Sequence, residues 1–266
     1  PVTLRHVQGD LKPAAATVKP WRGKPTLFIR NQPVYACFYA LTDCVGGRFS
    51  FEEGPRQSIR QFVDAGFRLF QLDLFLADCW PKPGPLSVDL ARRQIRGILD
   101  VCPDGVVVLR WHLNVPEWWK QQYPDELTRY ANGDFENPER TVPVRYIQDD
   151  LRRTPRASLA SEKWMQLARE KTAELVRGLA KSPEAHALAG IHVACGVYGE
   201  WHYWGFMRNE PDVSRPMQEA FAAYRKALGR PAVPVPGVEE RKALDHGIFR
   251  DPQRREAVID YYKCQQ

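Results

Sequence analysis

Short apolar runs alternate with amphipathic stretches along most of this chain. Continuous apolar runs predict strands buried on both faces, as in parallel sheets, at residues 34–40, 67–75, 105–112 and 189–198. Apolar residues at helical spacing predict helices at residues 55–65, 87–99, 164–179, 216–228 and 251–263. Because the predicted strands and helices alternate, the pattern favours right-handed βαβ units around a parallel sheet.

The fold class follows from where the polar residues gather. No Gly-x-Gly-x-x-Gly follows the first strand and no phosphate-binding loop is present, so neither class of nucleotide-binding fold is favoured. Polar and aromatic residues instead cluster directly after each predicted strand. This is typical of an α/β fold of the (β/α)8 TIM-barrel type, whose sites form at the C-terminal ends of the strands.

Only about the first four β/α units are apparent in this chain. A long irregular stretch at residues 113–158 takes up much of its length of 266 residues, although a complete barrel needs only about 250. We therefore expect residues 1–25 to be an N-terminal extension and residues 26–266 to be the N-terminal half of a (β/α)-barrel catalytic domain. Since a half-sheet would expose unpaired strand edges, we expect the missing half to exist elsewhere.

Composition narrows the class of protein further. A chain with 44% hydrophobic and 26% charged residues is not intrinsically disordered. No apolar run is long enough to predict a transmembrane helix. The chain begins with neither Met nor a leader pattern, so a soluble protein is expected, either cytoplasmic or exported after removal of a leader.

The net charge of +6 invites a nucleic-acid interpretation, but the basic residues are dispersed rather than concentrated on one segment. The six cysteines include no Cys-x-x-Cys pair, which argues against zinc-ribbon and thioredoxin-like chemistry. Cys37 and Cys195 fall inside predicted strands, where we expect buried thiols, and His192 is likewise expected to be buried. The even number of cysteines leaves disulfides open, and no metal-ligand spacing emerges.

The ends of the four predicted strands carry the candidate chemistry. A carboxylate flanked by aromatic residues at the end of a buried strand suits a general acid, because partial desolvation raises its pKa. Aromatic rings stack on sugar C–H faces, and polar side chains bond the hydroxyls, so the collection indicates a carbohydrate cleft. In chain order the strand-end residues are Tyr39, Asp43, Asp73, Asp78, Arg110, His112, Asn114, Tyr198, Glu200, Trp201, His202 and Trp204.

Several of these residues have a second interpretation. Asp73 either pairs with Arg110 or binds a sugar directly, and His112 is either a structural, hydrogen-bonded residue or a substrate contact. Adjacent Trp118 and Trp119 are expected to point in different directions, so that one packs on the fold and the other lines the cleft. Glu200 is either the general acid or a polar loop residue.

Four segments resemble a known enzyme family. The stretch at 110–124, with Pro116-Glu117-Trp118 and Tyr123-Pro124, is similar to the Pro-x-Trp … Tyr-Pro region of clan A glycoside hydrolases, in particular the β-galactosidase-like family 42. Segment 198–204 stands where that clan carries its acid/base glutamate. Helical segments 216–224 and 257–262 also look like family 42, so the resemblance extends from about Leu27 onward.

The resemblance implies a retaining, two-carboxylate cleavage of a β-glycosidic bond, with a β-galactoside as one candidate. Glu200 would protonate the leaving oxygen and then activate water, while a second glutamate about 5 Å away would be the nucleophile. This chemistry requires no cofactor. The substrate-binding residues would be Asp73, Arg110, His112, Asn114, Trp118, Tyr198, Trp201, His202 and Trp204.

Two departures from the clan leave an alternative open. Gly199 stands where the clan has an asparagine, and no residue in 1–266 can be assigned as the nucleophile. The alternative is a non-catalytic, carbohydrate-binding relative that lacks a functional nucleophile; a basic module that binds an acidic polymer is a third. The expected partner is a carbohydrate substrate, with no nucleic acid and no membrane, and a homo-oligomer remains open.

Overall fold

The computed structural model describes residues 14–42, 44, 46–133, 155–196, 199, 201, 211–237, 240–241 and 256–265. Two compact units make up the chain. The first unit comprises Pro1–Cys79, Pro85–Trp111 and Thr172–Val193. The second unit comprises Trp80–Gly84, His112–Lys171 and Ala194–Gln266.

The first unit begins with a three-stranded antiparallel sheet. Strands β1 (Ala16–Trp21), β2 (Lys24–Ile29) and β3 (Gln32–Val34) follow one another in that order. The β1–β2 turn is formed by Arg22 and Gly23, whose φ angles are 50° and 78°. Positive φ at both central residues is typical of a type I′ turn, whose twist matches that of the flanking strands.

The second sheet has four strands in the order β4-β5-β6-β7. The strands are β4 (Tyr39–Leu41), β5 (Leu69–Phe75), β6 (Val106–His112) and β7 (Leu188–Ala194). β4 pairs with β5 in parallel, with Tyr39 opposite Phe70. The chain is therefore a mixed α/β protein with a parallel sheet, as the alternating pattern predicted. Both β5 and β6 are largely buried, which explains their almost unbroken apolar sequences.

Helices connect these strands. Helix α1 (Glu53–Asp64) lies between β4 and β5, and helices α2 (Leu76–Cys79) and α3 (Asp89–Leu99) lie between β5 and β6. Gly66 follows α1 with a φ of +94°, a left-handed conformation that ends the helix as its sequence predicted. Helix α5 (Glu162–Ala180) and a 3₁₀ turn (Pro183–Ala187) precede β7.

The second unit contains helix α4 (Glu117–Gln122), a 3₁₀ turn (Pro124–Glu126), and helices α6 (Arg215–Ala227) and α7 (Glu256–Cys264). Ser214 caps α6, because its side chain accepts a hydrogen bond from the Met217 amide. Helices α6 and α7 pack through a core that includes Met217, Phe221 and Tyr261.

The predicted strand at 34–40 is wrong. Tyr35 is 90% exposed and Cys37 is also exposed, so this apolar run lies on the surface and not between two layers. The antiparallel sheet ends at Val34, and the parallel strand begins only at Tyr39. An apolar run without a period misleads here, because apolar atoms also make up much of the surface of a folded protein.

Three smaller expectations are corrected as well. His192 is exposed and Cys195 only half-buried, because β7 is buried mainly at its two ends. Stretch 113–158 is not irregular throughout, since it contains α4 and a 3₁₀ turn, although residues 134–154 lie outside the described ranges. None of the six cysteines, all of which lie in the described ranges, forms a disulfide.

The buried stripe of α5 also differs from the predicted one. Trp164, Leu175 and Leu179 are buried as expected, but Val176 is 45% exposed. Ala168 and Lys171 complete the stripe, at spacings of three and four residues. Within the described residues, no helix is both long and apolar enough to cross a membrane.

Candidate functional site

In the first unit, polar side chains lie toward the carboxyl ends of neighbouring parallel strands. The Asp73 carboxylate of β5 accepts a hydrogen bond from Thr42 Oγ1 at 2.9 Å. Its other oxygen lies 3.7 Å from Nη1 of Arg110 on β6, which is the ion pair foreseen from the sequence. The Asp73 carbonyl accepts a hydrogen bond from Gln94 of α3, which fixes the strand beneath the side chain. We call Thr42, Asp73 and Arg110 the strand-end cluster.

The strand-end cluster offers both kinds of group that a sugar hydroxyl needs. Asp73 accepts hydrogen bonds, and Arg110 donates them. Their side chains are 8% and 17% exposed, so both are largely desolvated while still reachable. The two charged groups lie 3.7 Å apart, so a ligand that reaches one of them also reaches the other.

A second ion pair follows β5 in the same unit. Arg48 Nη2 donates to Asp78 Oδ2 at 2.7 Å, and its guanidinium lies 4.3 Å from the centre of the Phe75 ring. Glu52 accepts hydrogen bonds from the backbone amides of Arg48 and Phe49, which holds the segment before α1 in place. Asp78 therefore belongs to an ion pair, and Asp43, the other acidic strand-end residue of this region, lies outside the described residues.

In the second unit, His112 and Asn114 are both buried, at 2% and 6% exposure. Asn114 lines a small cavity with Arg156 and Cys195, among other residues. The cavity volume is about 10 Å³, which is room for a single water molecule and not for a sugar. His112 is the last residue of β6 and Asn114 follows two residues later, so both lie near a strand end, as predicted. The cavity beside Asn114 does not accommodate a substrate.

Trp118 and Trp119 point in different directions, as expected. Trp119 is fully buried and packs edge-on against Trp164, with ring centres 5.1 Å apart. Trp118 is half-buried, and its ring packs edge-to-face against the ring of Trp80, with the ring centres 4.6 Å apart. Its Nε1 donates a hydrogen bond to the Trp80 carbonyl. Trp118 thus presents part of its ring outward while Trp80 fixes its orientation.

The loop that carries Trp80 is held in place by a buried lysine of α5. Lys171 of α5 is buried, donates to the Gly84 carbonyl at 2.9 Å, and lies 4.8 Å from the centre of the Trp80 ring. Trp80 Nε1 donates to the same carbonyl at 2.7 Å. The sequence did not predict the contact between Lys171 and the loop of Trp80. The one signal for it was a lysine at a position within the apolar stripe of an amphipathic helix.

The segment after β7 turns back sharply. Gly196 and Gly199 both have a φ of 75°, and Trp201 has a φ of 59°. The Trp201 amide donates to the Cys195 carbonyl at 2.8 Å, which closes the turn. Trp201 is 45% exposed. The predicted site residues Tyr198, Glu200, His202 and Trp204 lie outside the described residues.

The second unit also holds a buried carboxylate that the sequence did not reveal. Asp212 is 1% exposed and accepts hydrogen bonds from Ser158 Oγ at 2.6 Å and from the amides of Arg129 and Ser214. Burial raises the pKa of Asp212, against the opposing effect of these donors. Its amide donates to Tyr261 Oη at 2.9 Å. We call Asp212 and these four partners the Asp212 hub.

No protein-family model and no curated protein matches this chain, but solved structures do. The chain is similar to a β-galactosidase from the psychrophilic Marinomonas ef1, with a TM-score of 0.50 and 13% identity over 86% of this chain and 34% of that chain. It is also similar to a family 42 β-galactosidase from G. stearothermophilus (TM-score 0.48, 14% identity, 79% of this chain, 30% of that chain). A β-galactosidase from Bacillus circulans sp. alkalophilus gives a TM-score of 0.46 and 12% identity, covering 86% of this chain and 33% of that chain.

These likenesses concern the fold. The similarity to the Marinomonas enzyme shows that the mixed α/β architecture of this chain resembles that of a β-galactosidase. At 13% identity, the relationship between the two chains is only distant. The chain spans 34% of the length of that enzyme. A shared fold does not determine function, which depends on the side chains at the strand ends.

Proposed function

We propose that this chain forms part of a (β/α)8-type glycoside hydrolase that cleaves a β-glycosidic bond, with β-galactosides as the first substrates to test. The observation that carries the proposal is the strand-end cluster. Asp73 is held by Thr42 and Arg110 toward the carboxyl ends of parallel strands, in a fold that resembles a β-galactosidase. In α/β barrels this edge of the sheet is where sites form.

Glu200 is the proposed acid/base of a retaining mechanism. In the first step its proton passes to the glycosidic oxygen as the bond to the anomeric carbon breaks and a carboxylate nucleophile bonds that carbon. In the second step Glu200 takes a proton from water, whose oxygen displaces the nucleophile. The nucleophile has no assigned residue in this chain. Trp201, the residue after Glu200, has a φ of 59°, which residues other than glycine rarely adopt. This supports a specialised role for the segment, because strained residues gather at active sites.

The proposed substrate contacts divide by chemistry. Asp73, Arg110, His112 and Asn114 would bond sugar hydroxyls, together with His202. Trp118 and Trp201, both partly exposed, would stack on the C–H faces of the sugar rings. Tyr198 and Trp204 complete the proposed set.

The test compares two glutamate variants in the complete protein. Glu200→Gln should lower the hydrolysis of 4-nitrophenyl β-galactoside by roughly 10²–10⁴-fold, because general acid/base catalysis contributes about that much. Glu117→Gln is the matched control, since the Glu117 side chain is 72% exposed and pairs with Lys120 on its own helix. Unchanged hydrolysis by the Glu200→Gln protein would show that Glu200 is not the acid/base.

A second candidate is a carbohydrate-binding relative without catalysis. Gly199 favours it, because the clan carries there an asparagine that bonds the sugar. Such a protein would bind β-galactosides but release no nitrophenol. An experimental structure with a second carboxylate about 5 Å from Glu200 would exclude this candidate.

A further inference from the structure

The β1–β2 hairpin of the first unit carries cations that no carboxylate among the described residues neutralises. Lys19, Arg22 and Lys24 are exposed, and none of them forms an ion pair with any part of the chain that the structure describes. Residues 14–42 contain no Asp or Glu at all. Some arginines elsewhere in the first unit are paired, as Arg68 is with Asp104 and Arg48 is with Asp78. The hairpin is thus a local concentration of positive charge.

An aromatic ring lies among these cations. Trp21 is 46% exposed and packs edge-on against Phe28, with ring centres 5.8 Å apart. Phe28 is 3% exposed and supplies the hydrophobic contact beneath the hairpin, whereas nearly half of Trp21 remains uncovered. The Arg22 guanidinium lies 5.9 Å from the Trp21 ring, and Lys19 Nζ lies 4.1 Å from the Phe28 ring.

The hairpin tip is rigid. Arg22 and Gly23 form the type I′ turn, and Pro20 faces Pro25 across the two strands. Proline fixes φ, and the turn has only two residues, so the backbone positions that carry the flanking side chains keep a defined spacing. A rigid site loses less conformational entropy when it binds a partner.

The hairpin is separate from the strand-end cluster. Ile29, from the base of the hairpin, packs with Leu69 and Val106, which are the first residues of β5 and β6. Asp73 and Arg110 lie toward the opposite ends of the same two strands. A ligand at the hairpin would therefore occupy the amino-terminal edge of the sheet, away from the proposed catalytic edge.

We propose that the hairpin tip binds an acidic polysaccharide. The exposed indole of Trp21 would stack on a pyranose ring, while Lys19, Arg22 and Lys24 would pair with carboxylate or sulfate groups on neighbouring sugars. A neutral glycan needs no such cations. The choice of a glycan over other polyanions rests on the proposed glycosidase function, and a single exposed ring offers less stacking than proteins that bind single-stranded nucleic acid use.

The test is calorimetric titration with heparin as the sulfated polysaccharide. The unmodified protein should bind heparin, with affinity that falls as NaCl rises, and should not bind neutral galactan at the hairpin. Replacing Lys19, Arg22 and Lys24 together by Gln should weaken heparin binding about tenfold, since each exposed charge contributes modestly. Trp21→Ala should also weaken heparin binding relative to the unmodified protein, most clearly at high salt, where the ring contact contributes more than the screened charges.

A matched control removes three charges elsewhere in the first unit. Arg60, Arg177 and Lys181 are exposed, and their joint replacement by Gln lowers the net charge equally. This control should bind heparin nearly as well as the unmodified protein. Equal weakening by both triple variants would overturn the proposal, because it would mean that net charge alone drives binding.

Two further outcomes also overturn it. Tighter binding of single-stranded DNA than of heparin would make the hairpin a nucleic-acid site, and binding to phosphatidylserine vesicles without heparin binding would make it a membrane contact. The titration does not depend on hydrolysis. Heparin binding by an unmodified complete protein that hydrolyses no β-galactoside would count against only the proposed function. Hydrolysis without heparin binding would refute only this proposal. Thermal unfolding of each variant confirms that the exposed substitutions leave the fold intact.

Discussion

Two buried aspartates in this chain are held in contrasting ways. Asp212 is 1% exposed and accepts hydrogen bonds from two backbone amides and one hydroxyl, the latter at 2.6 Å. Asp73 is held by a threonine hydroxyl at 2.9 Å and a guanidinium at 3.7 Å, both of them side chains. Backbone amides cannot turn away to a ligand, whereas side chains can. We therefore propose that Asp212 serves the architecture of the fold and that Asp73 binds the ligand, and the substitutions below test this distinction.

The largest expected effect is at the Asp212 hub. Asp212→Ala should lower the free energy of unfolding by about 3 kcal/mol, because the Ser158 hydroxyl and two buried amides lose their acceptor. Chemical denaturation measures this loss. Asp73→Ala should lower the free energy of unfolding by less than Asp212→Ala does. A larger loss in Asp73→Ala would contradict the distinction between the two aspartates.

The pH dependence of the hub sharpens the same point. Since burial raises the pKa of Asp212, the folded protein takes up this proton at a higher pH than the unfolded chain does. The carboxyl group therefore favours folding more as the pH falls toward 4. Asp212→Asn, which keeps the shape but cannot ionise, should lose this part of the pH dependence, as unfolding curves over the acidic range would show.

The sequence predicted the parallel sheet well and the Asp212 hub not at all. Strands β5 and β6 are buried almost throughout, so their apolar runs were sufficient. The hub brings Asp212 to Ser158 and Tyr261, which are 54 and 49 residues away along the chain. No local pattern contains such a pairing, because it depends on how distant segments pack.

The strand-end cluster was foreseen in part. Asp73 and Arg110 were predicted because both lie toward the ends of apolar strands, and β5 and β6 are neighbours in the sheet. Thr42 was missed because the preceding strand was misplaced at 34–40, where surface-exposed Tyr35 resembles core sequence. The position of Glu200 in a site stays a prediction.

The second-largest expected loss of stability is at Glu184, which is nearly as buried as Asp212 but accepts hydrogen bonds from two arginine side chains. Burial alone would raise the pKa of Glu184, but hydrogen bonds from Arg92 and Arg96 outweigh it and lower that pKa. Glu184→Gln should cost about 2 kcal/mol of unfolding free energy at neutral pH.

This cost should depend on pH in the opposite sense from Asp212. A lowered pKa stabilises the fold above the unfolded-state value near pH 4.3, and the benefit disappears as the pH falls through the folded-state value. The difference between the unmodified protein and Glu184→Gln should therefore shrink in acid. A constant difference from neutral to acidic pH would contradict the role assigned to Arg92 and Arg96.

The smallest expected effect is on ligand affinity at Trp118. Trp118→Ala should weaken the binding of a β-galactoside by about fivefold, or ~1 kcal/mol, because a partly exposed ring is lost from the proposed cleft. Trp119→Phe is the adjacent control. Because Trp119 is fully buried, its change should appear in the unfolding free energy and leave affinity unaltered.

The most direct measurement is a titration of the complete Glu200→Gln protein with 4-nitrophenyl β-galactoside, with and without a second change at Asp73 or Asp212. If Asp73 binds the sugar, Asp73→Asn weakens affinity by about tenfold, or ~1.4 kcal/mol, with little change in stability. Asp212→Asn should lower stability and leave affinity within about twofold, as expected for a residue without ligand contact. Unchanged affinity in Asp73→Asn would contradict the assignment of the strand-end cluster as the ligand-binding edge of the fold.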